Sequence, residues 1–272
     1  MLSKLKKVPK SPEALVESAD KLATLPEVYY ILRNRINDPR SNSRDIAEVI
    51  NKDAALTARL LKMVNSAMYG NSRRVDSVSR AVAMVGMREL EFLVLASHAV
   101  ETFSRLSSEW VNVGTFWRHS VFCAVSARLL ARECHVLHPE RLFVAGLMHD
   151  VGNLVFYHQL PELVREVLER CERTGERTER VEQELLGFDH GDAGGALARQ
   201  WYFPEALEEA ICCHHRPAEA EAFPLEAAIV HVANMMTVAM ELNEDEEFQE
   251  ICDPQAWALL GISHERIKPI FQ

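Results

Sequence analysis

Two adjacent residues, His149 and Asp150, interrupt an otherwise apolar stretch, Arg141 to Tyr157 (RLFVAGLMHDVGNLVFY). An imidazole and a carboxylate are costly in a hydrophobic segment unless each meets a hydrogen bond, an opposite charge or a metal ion. The pattern predicts one helix through this stretch, opened by Pro139 and succeeded by another at Pro161. Neighbouring helical residues point about 100° apart, so both reach one ion only if it lies over the helix edge with other elements close by. Gly146 and Gly152 permit such an approach. The alternative is that Asp150 caps the next segment and His149 is a satisfied core histidine.

Further histidines bear on that choice. His119, His190, the pair His214-His215 and then His231 or Asn234 fall at or near expected helix ends or on apolar faces. Imidazoles gathered with a carboxylate suit zinc, iron, manganese or nickel. Six cysteines, with no CxxC among them, argue against a structural zinc knot. Cys212-Cys213 reads as packing, because adjacent helical side chains diverge.

The elements that must position these residues are helical. Ser11-Pro12-Glu13 opens a helix to about Lys21, and Asp45 to Asn51 carries Ile46, Val49 and Ile50 at helical spacing. Asp53 caps a stronger helix with the stripe Leu56, Leu60, Val64 and Met68, after which Asn65 and Ser66 bond to nearby backbone and Gly70 to Arg74 turns the chain. Met87 to Phe103 is long and mostly apolar, and Ser104 to Val113 is the best boundary, dividing the chain into 1–110 and 111–272. In the second part His119 opens one helix and Asp189 caps another. Gly175 closes the charged ERTGERTER loop, and Pro224 starts a long apolar helix through His231 and Asn234. With no convincing strand, repeat or phosphate-binding glycine loop, the fold is expected to be all-α.

Composition limits the function. At 272 residues, 48% apolar and 26% charged, the chain has length for a large core. A formal charge of −10 argues against a broad nucleic-acid-binding face. The basic start MLSKLKKVPK has no apolar run after it, and no segment reaches the roughly 18 uninterrupted apolar residues of a membrane span. Reduced thiols in a cytoplasm are the expectation.

Together, Asp53 to Leu61 running into Asn65-Ser66-Ala67, Trp117-Arg118-His119-Ser120, Gly146 to Gly152, Gly187 to Gly194, Trp201 with Pro204, and His214-His215 resemble the HD superfamily. The closer resemblance is to its HDOD branch, the HD-related output domain of bacterial signalling proteins. It implies an HDOD fold in which a helical N-terminal subdomain packs on an HD-like helical core. It also implies that His119, His149 and Asp150 match the superfamily's first metal ligands, while His190, His214 and His215 match the extra histidines of two-metal enzymes. The closing aspartate falls on Asn234, and the lysine after the His-Asp-x-Gly pattern falls on Asn153. Arg216-Pro217 stands where a GYP signature would be. Arg118, Asn153 and Asn234 are then the residues placed to meet a ligand.

Asn234 keeps an oxygen donor but loses a charge, which leaves Asp150 as the only matched carboxylate. One divalent ion then leaves about +1 locally and two leave about +3. The expectation is one divalent transition metal at His119, His149 and Asp150, or none, with the second site filled only beside an anion; Asp189, Asp192 or Glu184 could assist. A buried hydrogen-bonded network without metal is the alternative. What the resemblance implies is a regulatory module, more consistent with no catalysis, that binds a signalling protein or a small anionic ligand. A metal-dependent phosphohydrolase acting on a nucleotide or cyclic dinucleotide is the second reading, and nucleic-acid binding is the weakest.

Overall fold

The computed structural model describes residues 9–19, 24–66, 74–104, 112–242 and 252–267. Among the described residues there is no strand, so the fold is all-α. Met68, the Gly70 turn, Arg73 and most of the Ser104 to Val113 boundary lie outside them. The chain forms two compact units, Thr24–Phe103 and a larger one made of Met1–Ala23 with Ser104–Gln272. The first helix, α1 (Pro12–Ser18), belongs to the larger unit.

The smaller unit holds α2 (Glu27–Asn37), α3 (Ser43–Asn51), α4 (Ala54–Val64), α5 (Val78–Val85) and α6 (Met87–Phe103). Asn42 and Asp45 form a reciprocal capping box at the start of α3, which buries Ile46, Val49 and Ile50 and packs on α5. Asp53 caps α4 by accepting from the Leu56 amide at 2.9 Å, and Leu56, Leu60 and Val64 are buried. Burial of each such side chain contributes about 2 kcal/mol. Asn65 then binds both polar groups of Val75, accepting from its amide at 2.7 Å and donating to its carbonyl at 2.6 Å, which fixes the chain entering α5. Gly86, at φ +100°, makes the turn into α6.

Inside this unit α6 carries a buried carboxylate, Glu91, which accepts a 3.0 Å hydrogen bond from the Tyr29 hydroxyl on α2. Burial raises the pKa of Glu91, with the Tyr29 bond and Arg33 only partly opposing it.

The larger unit is built around α7 (Val113–Glu133) and α8 (Pro139–Met148), which pack along one another, with α14 (Pro224–Leu242) lying against both. Between them in sequence come α9 (Val151–Gln159), α10 (Pro161–Thr174), α11 (Thr178–Leu186), α12 (His190–Gln200) and α13 (Glu205–Cys212). The short α15 (Pro254–Leu260) and α16 (His264–Ile267) follow α14, and α15 packs on it. Among the described residues α14 is the one helix long and apolar enough to cross a bilayer, yet 67% of its most apolar window is buried inside the protein.

The stretch expected to be one helix is two. It breaks at His149 and Asp150, which stand between the end of α8 and the start of α9. Asp150 occupies the N-cap position but makes no capping bond with its side chain. The two glycines beside the pair do what their position implied. A Cβ on Gly146 would lie 2.8 Å from the Ala124 backbone of α7, and one on Gly152 would collide with the His190 carbonyl and lie 2.7 Å from the Gly194 amide of α12. α9 and α12 therefore cross with their backbones in contact.

Two outcomes follow. Because the folded-state pKa of Glu91 is raised, its contribution to stability is full below the unfolded carboxylate pKa and is lost as pH rises through the folded value. Glu91→Gln should therefore raise the melting temperature at neutral pH, with the difference shrinking in acid, as followed by circular dichroism. Gly152→Ala should destabilise the fold by about 3 kcal/mol or more in urea titration, since backbone rather than a flexible side chain must move.

Candidate metal centre

Six chemically active residues converge within the larger unit, and most come from helix ends. His119 stands on α7, His149 and Asp150 fill the break between α8 and α9, His190 begins α12, and His214 and His215 follow directly after α13. They form two groups that share Asp150: His119 and His149 with Asp150, and His190, His214 and His215 with Asp150. Within each group the ligand atoms lie within 4.8 Å of one another. The two carboxylate oxygens divide the histidines. Oδ2 lies 3.4 Å from His149 Nε2 and 3.9 Å from His119 Nε2. Oδ1 lies 3.2 Å from His190 Nε2 and 3.6 Å from His214 Nε2.

The hydrogen bonds fix which nitrogens can bind a cation. His149 Nδ1 is 2.8 Å from the Gly146 carbonyl and His214 Nδ1 is 2.6 Å from the Ile211 carbonyl. A carbonyl only accepts, so each Nδ1 carries the proton, and in a neutral ring the Nε2 lone pair is bare. Both Nε2 atoms are fully buried without a hydrogen-bond partner. Burial holds the His149 pKa down at about 3, so this ring is neutral. Bare lone pairs here face a carboxylate that can only accept. Burial alone would raise the Asp150 pKa, but the surrounding imidazoles more than reverse that, and with His149 neutral it is His190, its Nε2 3.2 Å from Oδ1, that holds the carboxylate ionised.

His190 is held differently. Glu182 on α11 lies 2.6 Å from its Nδ1 and also accepts from its backbone amide at 3.0 Å. Burial opposes the charged ring, yet Glu182 and Asp150 outweigh it and raise the His190 pKa well above normal. His215 Nε2 lies 2.7 Å from His190 Nε2, and burial pushes the His215 pKa well down. His119 has oxygens at both ring nitrogens, Glu241 at 3.1 Å and Asn234 at 3.1 Å. Imidazole and carboxylate donors around unpartnered buried nitrogens fit a divalent transition metal.

The carboxylates thought able to assist are engaged elsewhere. Glu184 pairs with Arg170 at 2.7 Å. Asp189 and Asp192 form the capping box of α12, and Arg216 binds both, so the residue replacing a GYP signature ties the His214-His215 segment to the start of α12. Sequence reasoning missed Glu182 and Glu241. Of the three expected ligand-binding residues, Asn234 meets His119, whereas Arg118 is exposed and Asn153 is tied to Asp150 through its backbone amide, which donates to the Asp150 carbonyl at 2.9 Å. His231 is structural, bonded to the His214 carbonyl and the Asp253 amide. The cluster opens into a cavity of about 340 Å³ with His119 and Asp150 on its wall, lined also by Asn112, Thr115, Phe116, Tyr157, Leu168 and Glu241.

Comparison with known proteins agrees with this architecture. A crystal structure from Shewanella amazonensis SB2B, named as a candidate phosphohydrolase, superposes with a TM-score of 0.75 at 26% identity, covering 96% of this chain and 93% of that one. An HDOD domain protein of unknown function from Geobacter sulfurreducens gives 0.73 at 24% identity, covering 95% and 92%. An uncharacterized protein from Treponema pallidum (strain Nichols) is 26% identical over 224 residues, covering 82% of this chain but 43% of its own length. The chain thus spans less than half the length of the curated relatives it matches. The HDOD domain model matches residues 22–217, through every histidine of the cluster, and on that match this chain belongs to the HDOD domain family.

Proposed function

We propose that this protein is a metal-dependent phosphohydrolase whose centre is the histidine cluster around Asp150. One observation carries the reading: the buried Nε2 atoms of His149 and His214 lack any hydrogen-bond partner and are both turned toward one carboxylate. A network selected only for packing would satisfy such atoms. His119, His149 and Asp150 Oδ2 would hold one ion, and His190, His214, His215 and Asp150 Oδ1 another. Bound there, a divalent ion supplies a Lewis acid for a phosphoryl oxygen and acidifies water.

The remaining work falls to side chains around the cavity. Phe116 and Leu168 give it apolar wall, while Asn112, Thr115 and the Tyr157 hydroxyl offer hydrogen-bond donors to a phosphate ester. Burial, with Asp150 and Glu182 nearby, pushes the Tyr157 pKa far up, so its hydroxyl keeps its proton and can donate. The names of solved relatives, candidate phosphohydrolases among them, point the same way.

A second reading, a regulatory module that binds an anionic ligand or a signalling protein without turnover, is favoured by Asn234. That residue meets His119 with a neutral amide where catalytic relatives are expected to carry a carboxylate. The hydrolase reading requires a divalent metal at the cluster, whereas the regulatory one stands with or without it, and the two differ on hydrolysis.

Elemental analysis of the purified protein should find iron, manganese, nickel or zinc near one or two equivalents, and Asp150→Ala should lose it with the far-UV spectrum intact. Hydrolysis of bis(p-nitrophenyl) phosphate with added manganese should fall at least about 100-fold in the same variant, the scale of losing ion-based charge stabilisation. Metal without turnover on any phosphate ester would move the protein to the regulatory reading. No uptake when metal is supplied would end the hydrolase reading and leave the regulatory one.

A further inference from the structure

We infer that the first ion binds at the Asp150–His190–His214–His215 group, and that Glu182 is the positioning residue that makes this the tighter half of the centre. This inference rests on reading the cluster as a metal centre, and it reverses the filling order expected from sequence, which began at His119.

Three observations carry it. The His190 group offers four donors and the His119 group three. The four-donor group is also better fixed: Glu182 lies 2.6 Å from His190 Nδ1 and the Ile211 carbonyl lies 2.6 Å from His214 Nδ1, so both rings are held with Nε2 toward Asp150 Oδ1. On the other side the matching contacts are 2.8 Å for His149 and 3.1 Å for His119. The two supporting carboxylates differ most in setting. The Glu182 side chain is 5% exposed and anchored also by the His190 amide, whereas that of Glu241 is 35% exposed on the cavity wall. A charge–imidazole pair screened by water orients its ring less firmly than a buried one.

His119 has a further handicap. Its Nε2 is 3.1 Å from Asn234 Oδ1, a contact that an ion must share or replace. His190 also has a competing contact, with His215 Nε2 at 2.7 Å, and an ion must displace the Nε2 proton held there to solvent, but both of those nitrogens belong to the same donor group and turn together to one ion. A carboxylate behind a ligating imidazole fixes its tautomer and raises its basicity, and removing one typically lowers metal affinity 10–100-fold.

The test is titration of the metal-free full chain with Co²⁺, followed by calorimetry and by the visible absorption of the bound ion. Wild type should take up Co²⁺ in two steps. Glu182→Gln, which keeps an oxygen acceptor but removes the charge, should weaken the tight step by about 10–100-fold. Glu241→Gln should leave that step unchanged and weaken only the second. Should Glu182→Gln fail to fold by circular dichroism, His215→Ala and His119→Ala decide the order: the tight step must vanish in the first and survive in the second. A tight step that follows His119 or Glu241, or that is unaltered in a folded Glu182→Gln, overturns the inference while leaving the metal centre standing. Wild type that takes up no Co²⁺ removes the metal centre as well.

Discussion

The larger unit is arranged around acceptors that face an acceptor. Asp150 presents two carboxylate oxygens to imidazole nitrogens, and two of those nitrogens, on His149 and His214, have committed their protons to backbone carbonyls on the far side of the ring. Each buried polar atom left without a partner costs about 1–3 kcal/mol. Against a typical net stability of about 5–15 kcal/mol, that is a large standing expense for a fold to keep. A cation placed between the groups turns the same geometry from repulsion into attraction. His190 shows how far the cluster can satisfy itself without one: protonated, it bridges Glu182 and Asp150. That proton serves one face of one carboxylate and leaves His149 and His214 as they were.

Most of the cluster is held at helix ends, His119 on the face of α7 being the exception. Within a regular helix His149 and Asp150 would diverge by about 100°. The chain avoids this by ending α8 at Met148 and restarting at Val151, so that the pair occupies the junction. The opposing donors arrive in the same manner, His190 as the first residue of α12 and His214 and His215 just past α13. Glycine supplies the nearness. Gly152 brings α9 against α12, while Gly194 and Gly195 seat α12 against Ile211 and Cys212 of α13. The Asp189–Arg216–Asp192 bridge closes the arrangement by joining the end of the His214-His215 segment to the α12 cap.

The histidines and Asp150 were legible because imidazoles in apolar surroundings stand out at fixed motif positions, and caps such as Asp53 and Asp189 follow from short-range rules that operate within four residues. The helix break was legible only as the alternative in which Asp150 caps the next segment, since RLFVAGLMHDVGNLVFY has helical periodicity throughout and the break falls at His149 and Asp150. Glu182 was hidden among the charges of a solvated-looking segment, yet it follows the buried Val181 and lies three residues before Leu185, on the inward side of α11. Glu241 was within reach of the same reasoning. It follows Asn234 by seven residues, two helical turns, and so shares its face of α14.

Those two glutamates change the charge balance that sequence alone implied. With Asp150 as the sole carboxylate, two divalent ions would leave about +3 in a buried site, which favours leaving the second position empty. Counting Glu182 and Glu241, each bonded to a ring that would carry an ion, the remainder is about +1. The negative charge missing at Asn234 is thus met one layer further out, behind the imidazoles. Displacement outward has a consequence for chemistry. A carboxylate behind a ligand would add negative charge without itself binding the ion, and a residual charge near +1 is matched by a single phosphate group. In a chain with a formal charge of −10, this local excess is what would draw an anion to the cavity wall at His119 and Asp150.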